Sequence, residues 1–179
     1  MSFLVYPTIK QSPILSMTGF GGGGTALALG GASPIVTYTM TKSSSHDNWK
    51  EGTGLGSECS NTNSTGVSHA SNTTVTMTLS FSPSLPSITD WSICVRNAGS
   101  NGFNIQYQFN SGGYSNTGVS GSTATVADLT SAAQSAGTIS DFYLRGGSGS
   151  GNTHIYLSYL RINNVYVTGN SATSFTFQL

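Results

Sequence analysis

Residues 74–82 read TVTMTLSFS, and this stretch decides the fold class. Its apolar side chains alternate with threonine and serine; they are Val75, Met77, Leu79 and Phe81. Because successive side chains of a β-strand point to opposite faces, such a strand has one apolar face and one hydroxyl-bearing face. This pattern is typical of an antiparallel sheet that packs on a core from one side.

Alternation of the same kind recurs along most of the remaining chain. It predicts further strands in IVTYTMT (35–41), DWSICVR (90–96), FNIQYQF (103–109), TISDFYLR (138–145), HIYLSYLRI (154–162), VYV (165–167) and TSFTFQL (173–179). Asn163 and Asn164 form a predicted two-residue hairpin turn, since asparagine tolerates positive φ. Only VADLTSAAQSAG (126–137) has helical character, and residues 42–73 are predicted to be a loop rich in Ser, Asn, Thr and Gly. The sequence therefore predicts an all-β, antiparallel, jelly-roll-like β-sandwich over residues 34–179.

The charge content is low and balanced. Charged residues make up 7% of the chain, with six Lys+Arg and six Asp+Glu, against roughly 25% in an ordinary soluble domain. No basic patch is available to neutralise phosphates, so we expect no nucleic-acid partner. No apolar run is long enough to span a bilayer, and the first residues lack the pattern of a secretory leader. We therefore expect no membrane partner.

Cys59 and Cys94 are the two cysteines of the chain. Two cysteines are weak evidence for a disulfide framework. Cys94 falls within the predicted strand 90–96, where a small buried thiol packs as a hydrophobic side chain. The sequence alone thus favours a buried thiol over a disulfide.

Residues 1–33 differ from the rest of the chain. Short apolar runs are interrupted by Pro7, Pro13 and the glycines at 21–24, so neither a helical period nor a sheet strand persists. The glycine run lacks the Lys-Ser/Thr pair and the helix that a phosphate-binding loop requires. We predict an extended, Gly-rich N-terminal arm whose apolar side chains bind a partner; they are Phe3, Leu4, Tyr6, Ile14, Leu15, Met17 and Phe20.

Residue types that carry catalysis or bind metals are present but scattered. The histidines at 46, 69 and 154 lack metal-ligand spacing. Asp47, Asn48 and Glu51 do not form the repeated ligand ladder of a calcium loop. The six acids suggest no catalytic pair. We expect no enzymatic activity, no metal and no cofactor.

Two aromatic residues lie in predicted loops rich in Asn, Ser and Gly, namely Trp49 and Tyr114. An aromatic ring beside amide side chains can stack on a sugar, so both are candidate glycan-binding residues. The favoured alternative for Trp49 is that it closes one end of the sandwich or packs in a subunit interface.

LSYLRINNVYV (157–167) resembles the IxVNGVxL signature that closes a jelly-roll domain common in virion proteins of tailed phages. The preceding segments resemble that domain in the same order: NWKEGTG (48–54), ITDWSICVR (88–96), FNIQYQFN (103–110) and GTISDFYLRG (137–146). Asn163-Asn164 replaces the Asn-Gly turn of the family. The resemblance covers about residues 35–170.

Such domains occur in tail fibres, head fibres and capsid decoration proteins. The extended arm and the lack of shaft repeats make the chain resemble a capsid cement or decoration protein. The resemblance implies a virion protein made in the host cytoplasm and located on the capsid surface. Its expected partners are the major capsid protein and neighbouring copies, as a dimer or trimer. The alternative is a receptor- or glycan-binding domain of a fibre or spike, with a host surface glycan as partner.

Overall fold

A computed structural model describes most of the chain beyond residue 34. The described residues are 35–44, 49–51, 54–61, 65–69, 74–97, 103–146, 153–169 and 174–179. They form twelve strands and one short helix. The chain divides into two units after Ser33, and the second unit contains the whole of this part. The predicted arm, with its seven candidate partner-binding residues, lies outside the described residues.

The strands form two antiparallel sheets. The first sheet has the order β12-β1-β4-β9-β6-β7, with β12 (Ser174–Gln178), β1 (Thr37–Ser44), β4 (Thr76–Leu85), β9 (Ile139–Arg145), β6 (Gln106–Phe109) and β7 (Ser115–Asn116). The second has the order β2-β3-β10-β5-β8, with β2 (Trp49–Glu51), β3 (Thr65–His69), β10 (Thr153–Ile162), β5 (Trp91–Asn97) and β8 (Thr125–Asp128). A further strand, β11 (Val165–Tyr166), pairs with β10. From β4 onward the chain passes repeatedly from one sheet to the other, which gives the predicted jelly-roll-like β-sandwich.

The core lies between the two sheets and is built from the predicted alternation. On β4 the side chains of Met77, Leu79 and Phe81 are buried, and the intervening threonines and serine are half-buried on the outer face. Trp91 at the start of β5 is fully buried, with its ring centroid 5.0 Å from Phe109 and 5.1 Å from Phe142. These contacts join the second sheet to β6 and β9 of the first.

The Asn163-Asn164 turn is confirmed, with φ angles of 48° and 64°. Asn163 Oδ1 accepts hydrogen bonds from the backbone N–H groups of Thr89 and Asp90, at 2.7 and 3.3 Å. Arg161 donates through Nε and Nη2 to the two carboxylate oxygens of Asp90, at 2.9 and 2.8 Å. This pairing raises the pKa of Arg161 above its ordinary value. The turn and the start of β5 therefore form one polar cluster.

Cys59 and Cys94 form a disulfide, so the expectation of a buried thiol is wrong. Residues 54–61, which we call the strap, cross the outer face of the second sheet, where Cys94 is fully buried. Backbone hydrogen bonds join Leu55 to Gly169, and Ser158 donates from Oγ to the carbonyl of Ser60 at 2.6 Å. The sequence did not show this pairing because it depends on where the strap crosses the sheet.

Some boundaries differ from the sequence prediction. Within the predicted loop 42–73, β1 continues to Ser44, and β2 and β3 add two strands at an edge of the second sheet. Strand β6 begins at Gln106 rather than at residue 103. The predicted helical segment is confirmed as α1 (Thr130–Ala136), although its first residues belong to β8.

Candidate functional site

The turn after β6 is held in a fixed conformation by Asn110, whose φ is 50°. Its Nδ2 donates to the carbonyl of Thr138 at 2.8 Å, and its Oδ1 accepts from the backbone N–H of Ser140 at 2.9 Å. Its backbone N–H donates to the carbonyl of Asp141 at 2.9 Å. One asparagine thus fastens the β6–β7 hairpin to β9.

Tyr114 lies in this turn, as predicted, and its ring contacts Arg145 of β9. The guanidinium carbon of Arg145 lies 3.6 Å from the ring centroid, which is a close cation–π contact. Arg145 Nη2 donates to Gln106 Oε1 at 2.6 Å, and Gln106 Nε2 donates to Asn116 Oδ1 at 3.2 Å. We call Tyr114, Arg145, Gln106 and Asn116 the Tyr114 cluster.

Tyr143 lies on the same outer face of β9 as Arg145, two residues before it along the strand. Burial raises the pKa of its hydroxyl, and the Asp141 carboxylate and Tyr114 raise it further. The hydroxyl of Tyr143 therefore remains protonated throughout the neutral range, and it is available both as a donor and as an acceptor.

A groove of about 270 Å³ lies on the other side of the β6–β7 hairpin, between the hairpin and α1. Gln106 pairs with Arg145 on the outer face, so the alternate residues Tyr107 and Phe109 face inward. These two aromatic residues form the floor of the groove. Its walls are small side chains and glycine; they are Gly112, Gly113, Ser115, Ala132, Ser135 and Ala136.

Trp49 and Tyr114, the two candidate glycan-binding residues, are far apart in the fold. The backbone of Trp49 begins β2, an edge strand of the second sheet, and not a loop as predicted. Tyr114 lies before β7, at an edge of the first sheet. Helix α1 packs on both β5 and β6. Strand β5 lies next to β8, at one edge of the second sheet, so this edge and not the β2 edge lies beside the β6–β7 hairpin. The two residues therefore do not form one site.

Exposed apolar side chains mark a second surface, where the described part of the chain begins. Ile35 is 73% exposed and Val36 is 37% exposed; Val126, at 51%, is the other large exposed hydrophobic residue of the described part. The backbone N–H of Leu179 donates to the carbonyl of Val36 at 3.3 Å. The first and last described residues thus lie side by side, next to the β1–β12 edge.

Metal-binding side chains are not clustered in the described part of the chain. There, no three His, Cys, Asp or Glu side chains lie close enough to share a metal ion. The helix found within the same residues is too short to cross a membrane. Asp47 and Asn48, which were weighed above as calcium ligands, lie outside the described residues, and the side chain of Glu51 is not described.

No protein-family model and no curated protein sequence matches this chain.

Sequence reasoning missed the groove and the partners of Tyr114. Arg145 and Gln106 are 39 residues apart and meet because β6 pairs with β9. The walls of the groove come from the β6–β7 turn, the first residue of β7 and the helix that follows β8. The signal available in the sequence was the glycine before Tyr114, since a Cβ at Gly113 would meet no atom within 4 Å.

Proposed function

We propose that this chain is a structural protein of a tailed-phage virion, specifically a capsid decoration protein that binds the outer shell through residues 1–33. The observation that carries the proposal is the exposed apolar pair Ile35–Val36. Contiguous exposed apolar patches mark interaction sites, whereas single exposed apolar residues do not. The Ile35–Val36 pair directly follows the predicted arm in the sequence, and the arm would extend it into such a patch.

The fold of the remaining chain supports the same proposal. Residues 35–170, which carry the resemblance to virion jelly-roll domains, contain all strands of the sandwich except β12. A disulfide that fastens a surface strap suits a particle that persists in an oxidising environment outside the cell. The sandwich would then be a rigid cap on the shell, and the arm would supply the binding.

Truncation tests the proposal. A variant without residues 1–20 is expected to fold normally, since all described elements lie beyond residue 34, and to lose binding to undecorated capsids. Binding is measured by co-sedimentation with capsids, and the fold is checked by circular dichroism. Binding equal to that of the full chain would contradict the proposal.

A second candidate is a receptor-binding domain of a fibre or spike that binds host surface glycan. The Tyr114 cluster favours it, because an aromatic ring, a guanidinium group and two amides meet on one partly exposed surface. If the ligand binds at this cluster, Tyr114→Ala would abolish binding to host polysaccharide and leave virion assembly unchanged. Trp49→Ala tests the other candidate glycan-binding residue separately, because Trp49 lies at a different edge of the sandwich.

The position of labelled protein on the virion distinguishes the two candidate functions. Gold-tagged protein added to particles that lack it is expected on the capsid shell if it is a decoration protein. Label confined to the tail or fibre tips would favour the receptor-binding candidate instead.

A further inference from the structure

We infer that the groove between α1 and the β6–β7 hairpin binds one ring of a neutral saccharide. This inference rests on the receptor-binding candidate and moves its ligand from the Tyr114 cluster to the opposite face of the same hairpin. One face of the Tyr114 ring is already covered by the Arg145 guanidinium. The groove, by contrast, is a concave space with an aromatic floor.

The floor is rigid. The ring of Tyr107 packs edge-on against Phe109 with centroids 5.8 Å apart. Phe109 in turn lies 5.0 Å from Trp91 and 5.0 Å from Phe142, both of which are fully buried. Tyrosine combines an apolar ring with a polar hydroxyl, so it can stack on the C–H face of a sugar and bind one of its hydroxyls. An anchored ring does so without losing much conformational freedom.

The walls leave room for a ring and provide hydroxyl groups. Ala132, Ala136 and Gly113 project little or no side chain, and a Cβ at Gly113 would meet no atom within 4 Å. Ser135 donates its hydroxyl hydrogen to the Ser131 carbonyl at 2.8 Å, which leaves its oxygen lone pairs available as acceptors. Ser115 adds a second hydroxyl on the opposite wall. Sites for drug-sized ligands have volumes of about 300–1,000 Å³, so this groove suits a single sugar ring of a longer chain.

The lining carries no charge at neutral pH. None of its eight residues is Asp, Glu, Lys, Arg or His, and Arg145 lies on the other face of the hairpin. An acidic sugar would therefore lose hydration without gaining a counter-charge. The chemistry of the groove thus favours a neutral hexose or N-acetylhexosamine.

A variant that fills the groove with a larger side chain tests the inference. The intact chain is applied to an array that contains neutral, sialylated and sulfated glycans, and each hit is measured by titration calorimetry. Ala136→Leu places a large side chain in the groove, and Gln134→Leu makes a similar change on an exposed position of the same helix that does not line it. Ser135→Ala provides a second, smaller change in the lining. Thermal unfolding confirms that each variant is folded.

We expect neutral glycans to bind, with affinity reduced at least tenfold in Ala136→Leu, reduced measurably in Ser135→Ala and unchanged in Gln134→Leu. If glycan binding is lost in Tyr114→Ala but retained in Ala136→Leu, the groove is the wrong site and the receptor-binding candidate stands. Binding of acidic glycans alone would also overturn the inference. If no glycan binds, both fail.

Discussion

Asn163 performs two tasks that few residues combine. It adopts a positive φ of 48°, and its side-chain oxygen accepts hydrogen bonds from Thr89 and Asp90. Asn163→Ala removes these acceptors and disfavours the backbone conformation, so we expect the free energy of unfolding to fall by about 1–2 kcal/mol. Urea denaturation followed by fluorescence measures the change.

Asn164→Gly is the matched control for that variant. Asn164 has a φ of 64°, which glycine adopts without cost, and its hydrogen bond to Asp90 comes from its backbone N–H. We expect a change below about 0.5 kcal/mol. If the free energy of unfolding falls equally in the two variants, the side-chain hydrogen bonds of Asn163 contribute little to stability.

Gly169 lies where a side chain does not fit. A Cβ at this position would overlap the ring of Phe175, whereas a Cβ at Gly113 would contact nothing. Gly169 also pairs with Leu55 of the strap through two backbone hydrogen bonds. We expect Gly169→Ala to destabilise the fold by about 1–3 kcal/mol, as overpacking of a filled site does. Gly113→Ala, measured in the same urea titration, is expected to be nearly neutral, and a reversed order would contradict this packing argument.

The carboxylate of Asp128 gives a small acid-dependent contribution to stability. Hydrogen bonds from the side chain and the backbone N–H of Thr130 lower its pKa below the ordinary value of an aspartate. Because the folded-state pKa is the lower one, the stabilisation is present above the unfolded-state pKa and is lost as pH falls through the folded-state pKa.

Asp128→Asn is therefore expected to be slightly less stable than the wild type near pH 7 and equally stable at about pH 2. The effect is small because Asp128 is exposed to solvent. Urea midpoints measured across this pH range test it. A difference that grows toward low pH would contradict the assignment.

At the scale of elements, the strap is a surface segment that one covalent bond fastens to the second sheet. The Cys59–Cys94 disulfide spans 35 residues of sequence. By the chain-entropy model, a loop of this size contributes about 3–4 kcal/mol to stability. We expect a reductant to lower the free energy of unfolding of the wild type by about this amount.

The double variant Cys59→Ala/Cys94→Ala is the control for the disulfide prediction. It is expected to match the reduced wild type within about 1 kcal/mol, since Cys94 is buried and its truncation adds a small cavity term. Reductant should then have no effect on it. If reductant leaves the urea midpoint of the wild type unchanged, the disulfide contributes nothing to the free energy of unfolding.

Strands in which apolar and polar residues alternate strongly could be predicted from the sequence. Strands made mostly of polar residues could not. The TVTMTLSFS stretch, HIYLSYLRI and TSFTFQL correspond to β4, β10 and β12. Strand β3 reads TGVSH and contains one large apolar residue, so its sequence does not distinguish it from a loop. It forms a strand because β10 offers a partner edge, which is a tertiary effect on local preference.

The candidate binding surfaces were predictable only in part, for the same physical reason. Tyr114 could be identified as an aromatic residue in a turn, because Asn, Gly and Ser surround it. The groove could not, since it exists only where α1 covers the inner face of the β6–β7 hairpin. The disulfide was not predictable for a similar reason. It depends on where the strap crosses the second sheet, and the number of residues between the two cysteines does not specify that position.

At the scale of the whole molecule, the two candidate surfaces lie on different strands of the first sheet. Ile35 and Val36 directly precede β1, and the groove is lined by residues of β6. In the order β1-β4-β9-β6, three inter-strand spacings separate these strands by about 14 Å. The two surfaces are therefore distinct, and a variant at one of them tests one proposal without altering the other surface.

The charge of the arm leads to a prediction about the proposed binding to a capsid shell. Lys10 is the one charged side chain among residues 1–33, whereas seven residues of that segment are the predicted apolar anchors. Apolar burial is insensitive to moderate salt, while ion pairs on a surface are screened. We expect capsid binding, measured by co-sedimentation, to change less than about twofold between about 50 and 500 mM NaCl.

Phe3→Ser/Phe20→Ser is the matching variant for the salt experiment. Each buried phenylalanine contributes about 1.5–3 kcal/mol, so losing both should weaken binding by at least about a hundredfold. Lys10→Gln, which removes the charge and leaves the predicted anchors, is expected to bind as the wild type does. If salt or Lys10→Gln weakens binding strongly while the double serine variant binds normally, the arm binds through its charge and the apolar-anchor mechanism is wrong.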